Sequence, residues 1–485
     1  MMQTKFALLK QYKKIPIQIK AAAWFAAMSV LQKGIQFLVT PIYTRLLTTE
    51  EYGYYSIYTS WSSILLVIAT LNLHCGVFNN GMLKYADDRR RYISSMQGLG
   101  NITTILVFSI LFLFRDLMAQ WSGLDISILF GMFLVMMFNP SFSYWSQYQR
   151  YIYAYRTLSC VTLISAILIP AISVTLVWGL PERKYAVILG NVIVQTAIGL
   201  IYYVFNLLKG KKLYVKKYWL FALKFNIPLI PHYLSSIVLG QADRIMINYY
   251  FGESAVGIYS LTYSISLLLN VFVNAINSTF VPWTYQSMSK KDYKRIGQLA
   301  NYVLMLLGGI TICGILLAPE MIAFLGTEEY MQAQWIVAPV MLSGYFTMLY
   351  SFFANVEFYY EKSVGVMLAS VVAAVSNVIL NAIFIPMFGF IAAGYTTMVS
   401  YILLALMHYV LMKRVCKDQS LPSIYNIKFI VSLSIGMSLV SLLLMATYNF
   451  ALIRYTIIVL VLVTAVVLRN KIITLLKMLK GRTAK

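Results

Sequence analysis

The chain has 485 residues, of which 60% are hydrophobic and 11% charged, and a formal net charge of +23. That balance excludes a soluble globular domain, whose core could not hide so much apolar surface, and marks a polytopic membrane protein. The positive charge has two readings, a nucleic-acid ligand or an oriented membrane topology, and only its distribution along the chain separates them.

In chain order, the basic opening "KFALLKQYKKIPIQIK" precedes an apolar run too long for a cleavable signal, and it is expected to stay on the cytoplasmic side. Charged and turn-forming clusters then divide the chain into fourteen segments, each near the ~20 residues that a helix needs to cross a bilayer. They are 21–41, 54–74, 97–114, 126–145, 158–178, 185–207 and 226–250, followed by 256–281, 296–317, 335–357, 364–385, 389–411, 429–448 and 452–468. The first is the least apolar, because it carries Gln32, Lys33 and Gln36. Cys75, Cys160, Cys313 and Cys416 show no CxxC spacing and read as free thiols, so neither a disulfide, a metal nor a cofactor is expected.

The connections alternate in charge. One side takes Lys5, Lys10, Lys13, Lys14 and Lys20, then Lys84 with Arg89 to Arg91, Arg150 and Arg156, the lysines between Lys209 and Lys224, and Lys290 to Arg295. Lys362, the group from Lys413 to Lys428 and the tail from Arg469 to Lys485 complete it. The other side keeps Arg45, Arg115, Arg183, Lys184 and Arg454 together with most of the acids. This is the positive-inside pattern: it places both termini in the cytoplasm and removes the nucleic-acid reading. No connection exceeds about 20 residues, which leaves no room for an extramembrane catalytic domain, and any function must lie among the helices.

An internal repeat organises the spans. "EYGYYSIYTS" at 51–60 aligns with "AVGIYSLTYS" at 255–264, an offset of 204 residues that matches Gly53 with Gly257 and Tyr55 with Tyr259. Six spans separate the copies, so both have the same orientation, and two parallel six-helix bundles with two added C-terminal helices are expected. The corresponding divisions are 1–208 (spans 1–6), a basic linker at 209–224, 225–412 (spans 7–12), and 413–485 (spans 13–14 and the basic tail).

Polar residues inside the spans mark where to look. His232, Ser236, Gly240, Arg244 and Asn248 recur every four residues in span 7, and Tyr263, Ser266, Asn270, Asn274 and Asn277 form a stripe in span 8. Asn377 and Asn381 are four apart in span 11. A lone Asn is ordinary glue between membrane helices. Ions at Lys33, Asp243 and Arg244 are expensive in a bilayer, and such residues line water-filled paths. Adjacent positions lie about 100° apart on a helix, so Asp243 and Arg244 do not face each other, and Asp243 is expected to pair with a cation on another helix, with Lys33 as the candidate. Fixed cations among aromatics and amides suit an anionic, phosphate-bearing ligand.

"TPIYTRLLTTEEYGYYSIY", "QADRIMINYYFGESAVGIYSLTYS" and "SNVILNAIFIPMFGFIAAGYTTMVSY" resemble the characteristic stretches of the Wzx-type polysaccharide-biosynthesis flippases. These belong to the multidrug/oligosaccharidyl-lipid/polysaccharide (MOP) exporter superfamily. "GYTTM" departs from the small residues that many relatives carry there. The resemblance implies an all-α, MATE-like pair of six-helix lobes in the bacterial cytoplasmic membrane. It also implies alternating access that moves an undecaprenyl-pyrophosphate-linked oligosaccharide between leaflets. Implied partners are that substrate, membrane lipid and a polysaccharide polymerase or its assembly machinery, around a monomer. Substrate contacts fall on Arg45 and Arg244 by resemblance. Lys33, Asn248, Asn270 and Asn274 join them by position, with Asp243 as the site for coupling to a Na⁺ or H⁺ gradient; membrane potential is the other energy source. A cation-coupled multidrug antiporter would carry a buried carboxylate in its first lobe, where this sequence has Lys33. A lipid-II-type flippase shares the whole pattern, whereas a membrane glycosyltransferase or polymerase needs a large outer loop that is missing here.

Overall fold

The computed structural model describes residues 16–467, all of whose regular structure is helical. The N-terminal lysines from Lys5 to Lys14 and the tail from Arg469 lie outside the described residues. The long helices are α1 (Ile17–Leu46), α2 (Thr49–Thr70), α4 (Arg89–Leu113), α6 (Ile126–Tyr151), α7 (Tyr155–Gly179) and α8 (Ala186–Gly210). Short helices α3 (Val77–Lys84), α5 (Arg115–Ser122) and α9 (Lys216–Asn226) lie among them in the chain. The run Ile230–Ser289 breaks at Gly252 into α10 (230–251) and α11 (253–289). It is followed by α12 (Tyr293–Leu316), α13 (Ala318–Leu325), α14 (Gln334–Tyr359), α15 (Ser363–Phe388), α16 (Ala392–Asp418), α17 (Ile427–Met445) and α18 (Ala451–Val467). Each of the fourteen sequence-predicted spans falls on one of the long helices, and eleven helical stretches among the described residues are long and apolar enough to cross a membrane. Several helices outrun their apolar cores, α4 starting at Arg89 and α11 reaching Ser289, because backbone hydrogen bonding continues after hydrophobicity stops.

The chain divides into two compact units. The first holds residues up to 39 with 62–230, and the second holds 40–61 with 231 onward. The sequence division leaves 40–61 in the N-terminal half; in the structure this segment packs with the later helices, for a reason given below.

In the first unit, the segment read as a basic linker contains α9, an amphipathic helix whose Tyr218, Ala222 and Asn226 are buried while its lysines stay exposed. It closes over the ends of α4 and α6 with α3, burying Phe78, Met82, Tyr92, Met96 and Tyr144. Trp219 donates to Ser95 O at 2.9 Å, and Tyr218 donates to Asp88 Oδ2 at 2.5 Å. These bonds fix the helix in register with α4.

In the second unit α14 is central and buried along most of its length, whereas α7 in the first unit is largely exposed. Two tight corners shape this unit. Gly252 (φ 78°, ψ −178°) and Gly389 (φ 80°, ψ 178°) occupy a backbone region open essentially to glycine alone. Each opens the same pattern, "FGESAVG" and "FGFIAAG", and each folds one long helix back on the next. The repeat glycines meet here as well. A Cβ on Gly53 would lie 1.8 Å from Glu253 O, and one on Gly257 would lie 2.0 Å from Thr49 O. Glu253 is Thr49 plus the 204-residue offset, so the crossing of α2 and α11 is reciprocal, each copy resting its glycine on the other's backbone. Thr49 Oγ1 and Ser254 Oγ hydrogen-bond beside it at 2.8 Å. This close approach, possible only without side chains, ties 40–61 to the second unit.

Candidate functional site

The two glycine corners place the polar residues. Asp243 lies nine residues before Gly252 and Tyr259 seven after it; Asn381 lies eight before Gly389 and Thr396 seven after. In antiparallel helices joined by a tight corner, such positions sit at one depth, about 10–14 Å from the turn. The two hairpins therefore deliver polar side chains to a common level.

They meet on Asp243, which is fully buried. Its Oδ2 accepts from the Tyr259 hydroxyl at 2.5 Å, Thr397 at 2.8 Å and Tyr263 at 3.1 Å, while Oδ1 accepts from Asn381 Nδ2 at 2.7 Å. A second layer orients these donors: Asn381 donates to Asn377 at 3.3 Å, Asn377 to Thr397 at 3.1 Å, and Thr396 to the Asn381 carbonyl. Among the described residues no Lys, Arg or His forms an ion pair with Asp243, so the cation expected as its partner is replaced by three hydroxyls and an amide. The reason is geometric: the hairpins present neutral donors on the faces that meet, and these suffice to solvate one carboxylate.

Arg244, 7% exposed, occupies the neighbouring face. Its Nε donates to Ser260 at 3.0 Å, and Nη1 donates to Gly240 O at 2.9 Å and to Gln241 Oε1 at 3.2 Å, a carbonyl that also accepts from Ser60 at 3.0 Å. The guanidinium lies 4.2 Å from the Tyr263 ring centroid. Tyr263 thus receives a cation on its face and donates a hydrogen bond to Asp243, linking the two charges without direct contact.

The oxygens gathered here, from Asp243, Asn377, Asn381, Thr396 and Thr397, are all hard, and amide and hydroxyl groups can turn from donor to acceptor. One carboxylate among neutral oxygens matches an alkali cation or a proton. No group of three His, Cys, Asp or Glu that could hold a transition metal occurs among the described residues.

Among the described residues no hydrogen bond joins the other sequence candidates to Asp243 or its ligands. Arg45 is exposed, and its guanidinium donates to Pro41 O and Phe324 O, both at 3.0 Å, fastening the end of α1 to α13. Lys33, in the first unit, donates to Gln36 at 3.5 Å. Asn248 is half-buried one turn beyond Arg244. Asn270 is half-buried and Asn274 exposed, the former about 16 Å along α11 from Tyr259. Sequence reasoning missed Tyr259 and Thr397 as Asp243 ligands, and Thr396 as the donor behind Asn381; the signals were the repeat Tyr and the unexplained "GYTTM". It also missed a second buried pair, His408 Nδ1 with Glu357 Oε1 at 2.8 Å, stacked under Tyr350.

A bundle of membrane-length helices with buried ions among them is the fold of a multispan membrane protein. The chain superposes on the structure titled "Lipid II flippase MurJ, inward closed conformation" with a TM-score of 0.70, covering 94% of this chain and all of that one at 14% identity. It also matches an inward-facing multidrug resistance MATE family transporter of the MOP superfamily with a TM-score of 0.61, at 81% and 99% coverage and 11% identity. By sequence the chain belongs to the polysaccharide biosynthesis protein family, whose profile matches residues 19–288, more than half its length. Among its relatives are two proteins of Haemophilus influenzae. One is "Lsg locus putative protein 1", 23% identical over 350 residues, 71% of this chain and 85% of that protein. The other is an "Uncharacterized membrane protein", 24% identical over 367 residues, 73% and 87% of the respective chains.

Proposed function

We propose that this protein is a flippase that moves undecaprenyl-pyrophosphate-linked oligosaccharide repeat units across the bacterial cytoplasmic membrane by alternating access, for surface polysaccharide synthesis. Membership of the polysaccharide biosynthesis family and the MOP transporter fold support this reading. The observation that carries the mechanism is the Asp243 cluster: a buried carboxylate with only neutral ligands, one residue from a buried arginine. Binding of Na⁺ or a proton at Asp243 neutralises it and changes the demand on Tyr259, Tyr263, Asn381 and Thr397. Those ligands sit on three other helices, so occupancy is felt at once across the second unit. Arg244 supplies positive charge to the pyrophosphate and sugar part of the substrate.

The test is lipid mass spectrometry on the native host after depletion of the protein, with leaflet-selective labelling and complementation by variants. Prenyl-pyrophosphate-linked oligosaccharide should accumulate on the cytoplasmic leaflet, and neither Asp243→Asn nor Arg244→Ala should relieve it despite normal membrane abundance. Accumulation of lipid II instead would transfer the role to peptidoglycan precursor export. No accumulation, with new sensitivity to cationic drugs, would replace the flippase by an antiporter.

A further inference from the structure

A second site lies in the second unit, away from the Asp243 cluster. A cavity of about 740 Å³ opens where α12 and α17 begin, lined by Lys291 and Asp292 before α12 and by the loop before α17. Lys291, Lys294 and Lys428 border it, all exposed, against one acid, Asp292. The amino ends of α12 and α17 add the positive poles of two helices, and Asn426 caps the second by accepting from Phe429 N at 3.2 Å. Asn301 and Gln298 add neutral polar side chains to the wall.

What makes this more than a basic patch is its neighbour. Ile427, on the cavity wall, also begins an apolar groove of about 430 Å³ between α14, α16 and α17. Along α17 the groove is floored by Ile427, Val431, Ile435 and Leu439, four residues apart, with Phe353 and Leu406 opposite. From Ile427 to Leu439 the helix rises about 18 Å, a little more than one leaflet of a ~30 Å hydrocarbon core. Val431, Ile435 and Leu439 are exposed, on a helix long and apolar enough to span the membrane.

We propose that the cavity binds the phosphoryl headgroup of an anionic phospholipid whose acyl chain lies in the α14–α16–α17 groove. The chemistry is complementary along its length: three ammonium groups and two helix poles for the phosphate, and an aliphatic stripe for the chain. A free phosphate would use only the first part, and a zwitterionic lipid would meet the lysines with its own cation. Phosphatidylglycerol is therefore the probe.

The experiment is a thermal-shift and native mass spectrometry titration of the full chain in neutral detergent with phosphatidylglycerol, phosphatidylcholine, undecaprenyl phosphate or inorganic phosphate. Phosphatidylglycerol should stabilise the protein and remain bound on ionisation, the other three far less. The K291Q/K294Q/K428Q variant should lose about fivefold in affinity per lysine, roughly a hundredfold in all. Val431→Trp, which fills the groove and leaves every lysine, should also weaken binding, while K291R/K294R/K428R should keep it. Unchanged binding in the glutamine variant, or in Val431→Trp, would overturn the proposal. So would equal binding of inorganic phosphate, which would make this a free-anion site, or preferential binding of undecaprenyl phosphate, which would make it a port for the transported lipid.

Discussion

The reciprocal glycine crossing allows a quantitative test. In Gly53→Ala the new methyl would sit 1.8 Å from Glu253 O and 2.6 Å from its carbonyl carbon, and in Gly257→Ala 2.0 Å from Thr49 O. These neighbours are backbone, so no rotamer relieves the contact, and α2 and α11 must part by more than about 1 Å to reach ordinary separation. A gap of that size forfeits a quarter to a half of the dispersion energy of each atom pair along the crossing, and strains of this kind in packed cores cost about 1–3 kcal/mol. The Thr49–Ser254 bond at 2.8 Å would stretch with it. A matched control is Gly436→Ala in α17, where a Cβ meets nothing within 4 Å and the helix should gain up to about 1 kcal/mol. Thermal unfolding in detergent should rank Gly436→Ala at or above wild type and both crossing variants below it. Because one separation accommodates both methyls, the double variant should cost clearly less than the sum of the singles. Wild-type stability in Gly53→Ala, or strict additivity in the double variant, would refute the crossing.

Gly252→Ala and Gly389→Ala probe the corners. No neighbour lies within 4 Å of either added Cβ, so the penalty is purely conformational, about 1–3 kcal/mol, and shows in thermal unfolding whatever the detergent. At the buried His408–Glu357 pair, 2.8 Å apart, Glu357→Ala or His408→Ala should each destabilise by about 3–5 kcal/mol. The double variant should recover part of that loss, measured as a coupling energy in a double-mutant cycle. The Glu320 carboxylate accepts from Arg454 Nη1 at 2.5 Å and from the Tyr455 hydroxyl at 2.9 Å. Burial works against its charge, but these donors prevail and hold the carboxyl below its ordinary value of 4.5. The folded form therefore binds the proton more weakly than the unfolded chain. The stabilisation is complete above pH 4.5 and fades as pH falls through the lowered value. An acid titration of unfolding temperature should show this drop in the wild type, and Arg454→Leu should flatten it.

Much of the architecture was legible locally. Hydrocarbon thickness sets the length of an apolar run, so fourteen segments could be placed on helices, and the 204-residue repeat singled out the glycines that meet. Asp243 and Arg244 stood out because ions among apolar residues are costly wherever they end up. The partners were not legible. The ligands of Asp243 include Asn381 and Thr397, 138 and 154 residues away, brought to it by two corners that read in sequence as ordinary Phe-Gly pairs. The contacts of Arg45, to Pro41 O and Phe324 O, were not legible either, because a charge near a span looks alike whatever it meets. Lipid and protein interior are equally apolar, so hydropathy cannot tell the largely exposed α7 from the buried α14. The placement of the long apolar helices and the positions of costly charges were therefore settled by sequence alone, because a bilayer acts on each segment independently. Which polar groups meet was decided by tertiary packing, because that depends on how whole helices fold back on one another.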